Sequence, residues 1–295
     1  MLNLRPLLAK YWELFVEGND QKRIDSQTAP EKVKVISDLS YVDDGKWEHF
    51  LDVYTPEENS GLLPVIIDIH GGGWMYGKKE INKYYNMMLA SKGYTVFSIN
   101  YTLVPNADVA EQLRECMLAF SWIKEHAEVY NGDLGKLYVT GDSAGGFLAA
   151  FSTLLNNSQA LREIYGTVSP EFDIKGVCLT CPVCYMDTKS VTGVYTRQIL
   201  GNEYKNQKYK GYVNLDEALK LGPMPPVYLI TCGGDLPAKK ATFKAYEDLQ
   251  DNGVKCKLKY LPDKNLGHVF CIVDPFSPVS DDVNNDMLKF LRDNT

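Results

Sequence analysis

The sequence predicts a single α/β domain built on a mostly parallel, doubly wound sheet. Strand-like and helix-like segments alternate along most of the 295 residues, which is the order of a parallel sheet with crossover helices. One strand-like segment, "LPVIIDIH", is a short, continuously apolar run of the kind buried on both faces. The turn signal Asp43-Asp44-Gly45 separates the first two strands and predicts an antiparallel hairpin at the start of the sheet.

The individual elements follow from hydrophobic periodicity and from helix stop signals such as Gly253. The predicted strands are, in chain order, "KVKVISDLSYV", "WEHFLDVYTP", "LPVIIDIH", "YTVFSINY", "KLYVTG", "IKGVCLTCPV", "PPVYLITCGG" and "VKCKLKYLP". The predicted helices are "INKYYNMMLASKG", "ADVAEQLRECMLAFSWIKEHAEVY", "AGGFLAAFSTLLNN", "AKKATFKAYEDLQDNG" and "SDDVNNDMLKFLRDN". The second helix is amphipathic, because apolar residues recur in it at helical spacing: Val109, Leu113, Met117, Phe120 and Ile123.

Two segments do not fit the alternation, residues 1–30 and residues 185–225. The first reads as an amphipathic helix, whose shared face would carry Leu7, Leu8, Tyr11, Leu14 and Phe15. The second is polar and tyrosine-rich and lies between two core strands, where a long insertion is uncommon unless it is functional. We expect one domain over residues 1–295, with both segments as cap elements over a site.

Composition excludes several classes of protein. The net charge is −7 with acids and bases interspersed, and no Lys/Arg run predicts a nucleic-acid or polybasic membrane partner. Arg5, Pro6, Lys10 and Glu13 interrupt the apolar N-terminus, unlike a secretory leader, and no run is long enough to span a membrane. These features predict a cytoplasmic protein. They do not determine its oligomeric state.

The seven cysteines predict reduced, buried thiols, because their number is odd and most lie in apolar runs. Cys178, Cys181 and Cys184 have a Cys-x-x-Cys-x-x-Cys spacing that can mark a metal or iron–sulfur site. The fourth ligand is missing and no histidine lies nearby. We expect these cysteines to act as small hydrophobic residues and the protein to need no metal.

A Gly-x-Ser-x-Gly pattern, "GDSAGG", places Ser143 directly after a predicted strand and before a predicted helix. A nucleophile elbow needs this arrangement, since the turn is too tight for large neighbours and presents the hydroxyl at the carboxyl edge of the sheet. The N–H of Ala144 would open the helix and face a developing oxyanion. A purely structural turn of small residues is the alternative.

A second glycine-rich loop, "HGGGW" at His70 to Trp74, follows another predicted strand. Its glycines leave N–H groups unshielded, so the loop can donate to an oxyanion, and His70 would orient it. The overlapping "GGWMYGKK" nearly matches a phosphate-binding loop. That reading is disfavoured because Lys79 replaces the Ser/Thr that would hold magnesium and bulky side chains would crowd a phosphate.

A general base is found by elimination among four histidines. His49 and His126 read as surface or satisfied residues, whereas His268 follows the last strand and lies downstream of Ser143. The acid should end a strand between the two, which favours Asp235 in "LITCGGDLP" and leaves Asp187 as the alternative. Asp263 reads as a solvated loop acid.

Together, "HGGGW", "GDSAGG", "GGDLP" and "GH" resemble the α/β-hydrolase superfamily, in particular hormone-sensitive-lipase-like esterases and feruloyl- and acetyl-esterase-like carboxylesterases. The resemblance spans about residues 30–295. It implies Ser143 as nucleophile, Asp235 as acid and His268 as base, with Gly72, Gly73 and Ala144 as oxyanion donors. It departs from the usual pattern at Asp235-Leu236-Pro237, where Asp-Pro is typical, and at "NYTLVPNADV".

The resulting expectation is a serine carboxylesterase that cleaves small esters through an acyl-enzyme and uses no cofactor. Trp74 and Tyr185 are candidates for the wall of the substrate pocket, although both can equally be packing residues. A serine peptidase or amidase on the same triad and an inactive binding protein of the same fold remain as alternatives.

Overall fold

An eight-stranded sheet runs through the described part of the chain, which in this computed structural model comprises residues 7, 10, 16–188, 193–201 and 204–294. The strand order is β1-β2-β4-β3-β5-β6-β7-β8. β1 pairs antiparallel with β2, β2 pairs antiparallel with β4, and the other pairings are parallel. The predicted parallel sheet with antiparallel strands at its start is therefore confirmed.

The strands are β1 (Val33–Ser40), β2 (Phe50–Pro56), β3 (Leu63–Ile69), β4 (Thr95–Ile99), β5 (Gly132–Asp142), β6 (Ile174–Thr180), β7 (Val227–Cys232) and β8 (Cys256–Leu261). The α-helices are α1 (Gly18–Ser26), α2 (Lys83–Ser91), α3 (Val109–His126), α4 (Ala144–Asn157), α5 (Gln159–Tyr165), α6 (Gly193–Leu200), α7 (Leu215–Ala218), α8 (Lys239–Asp251), α9 (Phe270–Val273) and α10 (Pro278–Asp293).

Neighbouring residues of each central strand face two different hydrophobic cores. On β3, Ile67 belongs to the core that also contains Phe147 of α4, whereas Ile66 belongs to the core that contains Tyr85 of α2 and Leu288 of α10. Successive strand side chains point to opposite faces, so a sheet covered by helices on both sides needs apolar residues at every position. This explains the continuous apolar runs in the sequence.

Several predicted strand boundaries differ from the observed ones; β5, for example, begins at Gly132, four residues before the predicted start. β2 begins at Phe50, because Trp47–His49 form a 3₁₀ turn in which the imidazole of His49 reaches the Asp44 carboxylate at 2.9 Å. β6 ends at Thr180, so Cys181 lies beyond the strand that was expected to contain it.

Four helices lie in segments that the sequence patterns left unassigned: α5, α6, α7 and α9. For α5 a local signal was available. The Ser158 hydroxyl caps its start by accepting from Leu161 N–H at 3.2 Å, and Gly166 ends it with φ +68°. Ser before and Gly after a short apolar stretch are ordinary helix boundaries.

The N-terminal segment is described from Val16 onward, together with Leu7 and Lys10. Of the predicted amphipathic face, Leu7 is exposed, and Leu8, Tyr11, Leu14 and Phe15 lie outside the described residues. α1 is attached to the sheet domain through Arg23, whose Nη2 donates to the Ile81 carbonyl at 3.0 Å. Among the described helices, none combines the length and hydropathy needed to cross a membrane.

Candidate active site

Ser143 lies at the carboxyl edge of the sheet, in a sharp turn between β5 and α4. Its backbone has φ +53° and ψ −115°, a conformation that costs free energy in a residue with a Cβ and is typical of functional turns. The turn is packed against the end of β3, since a Cβ on Gly145 would lie 2.0 Å from the carbonyl oxygen of Ile69. Small residues surround Ser143 because the backbones meet there.

Three side chains that are distant in sequence form one hydrogen-bonded chain at this edge. The Ser143 Oγ lies 2.9 Å from His268 Nε2, and His268 Nδ1 lies 2.7 Å from Asp235 Oδ1. The carboxylate accepts, so Nδ1 carries the proton and Nε2 faces the serine hydroxyl as an acceptor. The structure thus brings together the three residues that the sequence singled out.

Asp235 is held rigidly and stays ionised. It is completely buried, and it accepts from the Thr231 hydroxyl at 2.7 Å and from Ala238 N–H at 3.1 Å in addition to His268. Burial pushes the pKa of Asp235 upward, but hydrogen bonds from His268 and Thr231 outweigh burial and leave the pKa below its ordinary value. A buried carboxylate with this many donors orients the imidazole and stabilises its protonated form.

The glycine-rich loop after β3 lies at the same cavity as Ser143. Gly72 and Gly73 have φ of +110° and +59°, and neither N–H has a hydrogen-bond partner among the described residues. Both glycines line the same cavity as Ser143 and His268. Ala144 is the first residue of α4, where a backbone N–H has no partner within the helix.

The carbonyl groups of residues 70–73 in this loop all accept hydrogen bonds. Tyr101 donates to His70 O at 2.8 Å, and His70 Nδ1 donates to Gly71 O at 2.7 Å. Tyr76 N–H donates to Gly72 O, and the Tyr195 hydroxyl donates to Gly73 O at 2.7 Å. The carbonyl oxygens of residues 70–73 are thus paired, as buried backbone acceptors usually are.

His70 serves the loop rather than the reaction. Its ring is fully buried and stacks on Tyr101 at 4.5 Å between centroids. Burial lowers the pKa of His70 to about 4, so the imidazole is neutral at physiological pH. This agrees with the expectation that His70 orients the loop.

A cavity of about 210 Å³ opens at the reactive hydroxyl. Its described walls come from the glycine-rich loop, the turn at Ser143, the segment that carries His268, and α1 through Asp20 and Arg23. Tyr76 donates to Asp20 at 3.0 Å, which ties α1 to the loop beside the cavity. The described part of the first cap candidate therefore borders the site.

The two residues expected in the pocket wall lie elsewhere. Trp74 is buried in the core, edge-on to Phe147 at 5.7 Å, and its carbonyl accepts from Gln112 at 3.0 Å, so it supports the loop from behind. Tyr185 lines a separate cavity of about 820 Å³, because its hydroxyl is bound to Asp248 of α8. Both predictions are corrected on this point.

The alternative residues are not brought to Ser143. Asp187 is exposed and lines the 820 Å³ cavity, and Asp263 is exposed in the loop after β8. His126 is not part of the site, since its Nδ1 donates to the Trp122 carbonyl within α3. Lys79 stands where a phosphate-binding loop needs a magnesium-binding hydroxyl, and its ammonium is buried between Asp38 at 2.9 Å and Asp52 at 3.0 Å.

The three spaced cysteines do not converge. In residues 16–188, 193–201 and 204–294, the one group close enough to share an ion is Cys181, Asp235 and His268, with ligand atoms within 4.8 Å of one another. Burial, followed by the charge of Asp235, raises the pKa of Cys181 well above its usual value, so a protonated thiol lies beside the carboxylate. Cys178 and Cys184 are buried elsewhere.

Sequence reasoning missed several residues that shape this site. Asp142, next to Ser143, accepts from Gly71 N–H at 3.1 Å and from the Asn82 side chain at 2.9 Å. Tyr195 reaches the glycine-rich loop from α6. Asp142 was inside the quoted motif, but nothing local indicated its partners. Tyr195 was one of five tyrosines in its insertion.

Solved structures share this architecture over nearly the whole chain. Esterase B from Lactobacillus rhamnosis is 26% identical and superposes with a TM-score of 0.89, covering 97% of this chain and 93% of that one. The same esterase inhibited by a C4-C4 tributyrin phosphonate superposes with a TM-score of 0.91. A bacterial heroin esterase, 22% identical with a TM-score of 0.73, shares the fold.

The relatives found by sequence similarity are longer proteins than this chain. Isoprenylcysteine alpha-carbonyl methylesterase of Arabidopsis thaliana is 25% identical over 82% of this chain and 59% of its own length. Tuliposide A-converting enzyme b1 of Tulipa gesneriana is 25% identical over 79% of this chain and 64% of its own. The chain thus spans about six tenths of the length of these relatives.

The architecture places the chain in the class of α/β-hydrolases, as predicted, and the proteins that it resembles are named esterases. Within that class, the BD-FAE family model matches residues 51–210, more than half of the chain. The protein belongs to the BD-FAE family.

Proposed function

We propose that the protein is a serine carboxylesterase that hydrolyses small esters through an acyl-enzyme. The observation that carries the proposal is the continuous hydrogen-bonded chain from Ser143 Oγ through His268 to Asp235, with distances of 2.9 and 2.7 Å. A strained serine, an oriented imidazole and a buried carboxylate are the parts that nucleophilic acyl transfer requires.

In the first half of the reaction, His268 Nε2 takes the Ser143 proton as the hydroxyl oxygen attacks the ester carbonyl. The new Ser143 O–C bond turns the carbonyl oxygen into an oxyanion, which accepts from the N–H groups of Gly72, Gly73 and Ala144. The C–O bond to the leaving alcohol then breaks, and the alcohol takes the proton from His268. Asp235 stabilises the imidazolium throughout.

In the second half, water replaces the alcohol. His268 removes a proton from the water as its oxygen attacks the acyl carbon, and the same N–H groups accept the second oxyanion. The bond to Ser143 Oγ breaks, the serine recovers its proton from His268, and the carboxylic acid leaves. No step needs a metal or an organic cofactor.

Substrate size is the least constrained part of the proposal. The cavity of about 210 Å³ at Ser143 suits a short acyl or alkoxy group. The phosphonate-inhibited esterase B and the named methylesterase relative support ester substrates. We further propose that residues 1–30 and 185–225 form caps of a single domain, since α1 borders this cavity and Tyr195 contacts the loop at Gly73.

A fluorophosphonate probe and a matched pair of serine variants test the proposal. Wild-type protein should hydrolyse p-nitrophenyl acetate and be labelled at Ser143, and Ser143→Ala should lose both properties. Ser152 offers the control, because it is a buried serine on the same helix and makes no contact with His268. Ser152→Ala should retain labelling and turnover. Full activity in Ser143→Ala would refute the proposal.

The acid is tested in the same assay. Asp235→Asn leaves the imidazole without its carboxylate partner and should lower kcat by roughly 10³–10⁴. Asp187→Asn should have little effect, since the structure places Asp187 at a different cavity. The reverse pattern would transfer the role to Asp187. Comparing turnover of an ester with that of its matched amide separates an esterase from an amidase on the same triad.

A further inference from the structure

Two buried carboxylates lie beneath the glycine-rich loop and are bridged by one amide. Asn82 Nδ2 lies 2.9 Å from Asp142 Oδ1 and 3.1 Å from Asp68 Oδ2, so both N–H bonds of this amide are used. Asn82, Asp68 and Asp142 are each at most 4% exposed. Asn82 ends a 3₁₀ turn and leads directly into α2, which fixes its side chain between the two acids.

Asp142 connects Asn82 to the glycine-rich loop. Its Oδ1 also accepts from Gly71 N–H at 3.1 Å, and a Cβ on Gly71 would lie 2.5 Å from its Oδ2. The carboxylate and the loop backbone are therefore in direct contact. Gly72 and Gly73 follow Gly71 in the chain, so a shift of Asp142 changes where their N–H groups point.

The two acids differ in charge because their surroundings differ. Asp68 accepts from Asn82 and Asn86 through Oδ2, while its buried Oδ1 has no partner in the described part of the chain. A half-satisfied ionised carboxylate is costly in the interior. Burial and then the charge of Asp142 raise the pKa of Asp68 to about 7, so Asp68 is protonated in mildly acidic solution, where an ordinary carboxyl is ionised.

Asp142 carries the negative charge of the pair. Burial raises the pKa of Asp142 above its ordinary value, although the donor of Asn82, the nearby His268 and the Gly71 N–H oppose burial. The charge of Asp142 in turn raises the pKa of Asp68, so Asp142 is the acid that ionises first. The titratable groups that face Asp142 from the elements packed against it are Asp68 on β3, Tyr101 after β4, His268 after β8 and Cys271 on α9.

We propose that Asn82 is a positioning residue for ester hydrolysis: it holds the Asp142 carboxylate ionised and in place, and thereby aims the Gly72 and Gly73 N–H groups at the oxyanion. The inference rests on the function proposed above. An ionised Asp142 accepts more strongly from Gly71 than a neutral one.

Removing the amide should act on kcat and on the pH profile. Asn82→Leu has a similar size but no donor, so the loop loses its anchor and kcat should fall about 10- to 100-fold with KM within about twofold, because the oxyanion exists only in the transition state. Loss of a donor to the charged form raises the pKa of Asp142. The acid limb of kcat should therefore move to higher pH.

Asn86 provides a matched control on the same helix. It is fully buried and donates to Asp68 at 3.0 Å, but it does not reach Asp142. We would measure kcat and KM for p-nitrophenyl acetate from pH 5 to 9, together with the melting temperature, for wild type, Asn82→Leu and Asn86→Leu. Asn86→Leu should lower the melting temperature by a comparable amount while kcat stays within about threefold and the acid limb stays in place.

Each outcome decides the question. Wild-type kcat and an unmoved acid limb in Asn82→Leu would overturn the inference, and so would equal losses in the two variants or a change confined to KM. If Asn82→Leu does not fold, Asn82→Ser keeps one donor and should show a smaller loss and a smaller shift, and no change in it would also overturn the inference. A wild-type protein that cleaves no ester would instead contradict the proposed function itself.

Discussion

Replacing Asp68 by asparagine should make the protein more stable at alkaline pH. In the wild type, the folded protein keeps the Asp68 proton up to a pKa of about 7, whereas the unfolded chain releases it near the ordinary value of about 3.9. Unfolding in that interval therefore releases a proton. The stability contributed by this group is full below about pH 4, falls as pH rises to about 7, and then levels off.

The magnitude follows from the two pKa values. At 1.36 kcal/mol per pKa unit, the difference between about 3.9 and about 7 corresponds to about 4 kcal/mol, of which about 2–3 kcal/mol falls between pH 5 and pH 8. Asp68→Asn keeps the size of the side chain and an oxygen that can accept from Asn82 and Asn86. It cannot ionise, so this loss of stability should disappear.

Urea unfolding at pH 5 and pH 8, with reductant present for the free thiols, measures the effect. The free energy of unfolding of Asp68→Asn minus that of wild type should rise by about 2–3 kcal/mol from pH 5 to pH 8. Asp286→Asn is the control. Burial alone would raise the pKa of Asp286, but hydrogen bonds from Lys257 and Tyr228 lower it to about 2. The carboxylate is then ionised at both pH values, and the difference between this variant and wild type should not change.

A flat difference for Asp68→Asn, within about 0.5 kcal/mol between the two pH values, would refute the reasoning. It would mean that Asp68 ionises in the folded protein at an ordinary pKa, and that the unpartnered Oδ1 is solvated or paired. The distinction between a neutral Asp68 and a charged Asp142 would then fail with it.

Three further predictions concern the loop and its neighbours. Tyr195→Phe removes the 2.7 Å hydrogen bond to Gly73 O and should lower kcat several-fold without changing the melting temperature by more than about 2 °C, which steady-state kinetics and thermal unfolding would show. Gly71→Ala should abolish activity, because the added methyl would lie 2.5 Å from Asp142 Oδ2; wild-type turnover would contradict this packing. Arg23→Ala removes donors from α1 and should speed protease cleavage near the N-terminus, and an unchanged digestion rate would show that α1 is held by other contacts.

Local sequence patterns predict much of the fold. Apolar runs without alternation indicate strands covered on both faces, and the two cores on either side of β3 explain why they must be apolar throughout. The strand–Ser143–helix order and the single histidine downstream of Ser143 likewise need no tertiary information. Helices such as α5 were missed because one capped turn is a weak signal in a long segment.

The candidate site, too, could be predicted only in part from the sequence. Sequence order singled out Ser143, His268 and Asp235 because each follows the end of a strand, and parallel strands deliver their carboxyl ends to one edge of the sheet. Sequence order could not show which tyrosine of residues 185–225 reaches the glycine-rich loop. Tyr185 bonds to α8 and Tyr195 bonds to Gly73, and each partner lies more than sixty residues away in the chain.

By itself, then, the sequence determined the sheet, the elbow and the three residues of the proposed triad, because each is encoded by a local pattern or by chain order. Only the tertiary structure decided what surrounds them. Asn82 meets Asp142 across sixty residues and Asp68 across fourteen, and no periodicity marks such a contact. The charge on each carboxylate is likewise a property of the burial and the donors around it, which exist only once the chain has folded.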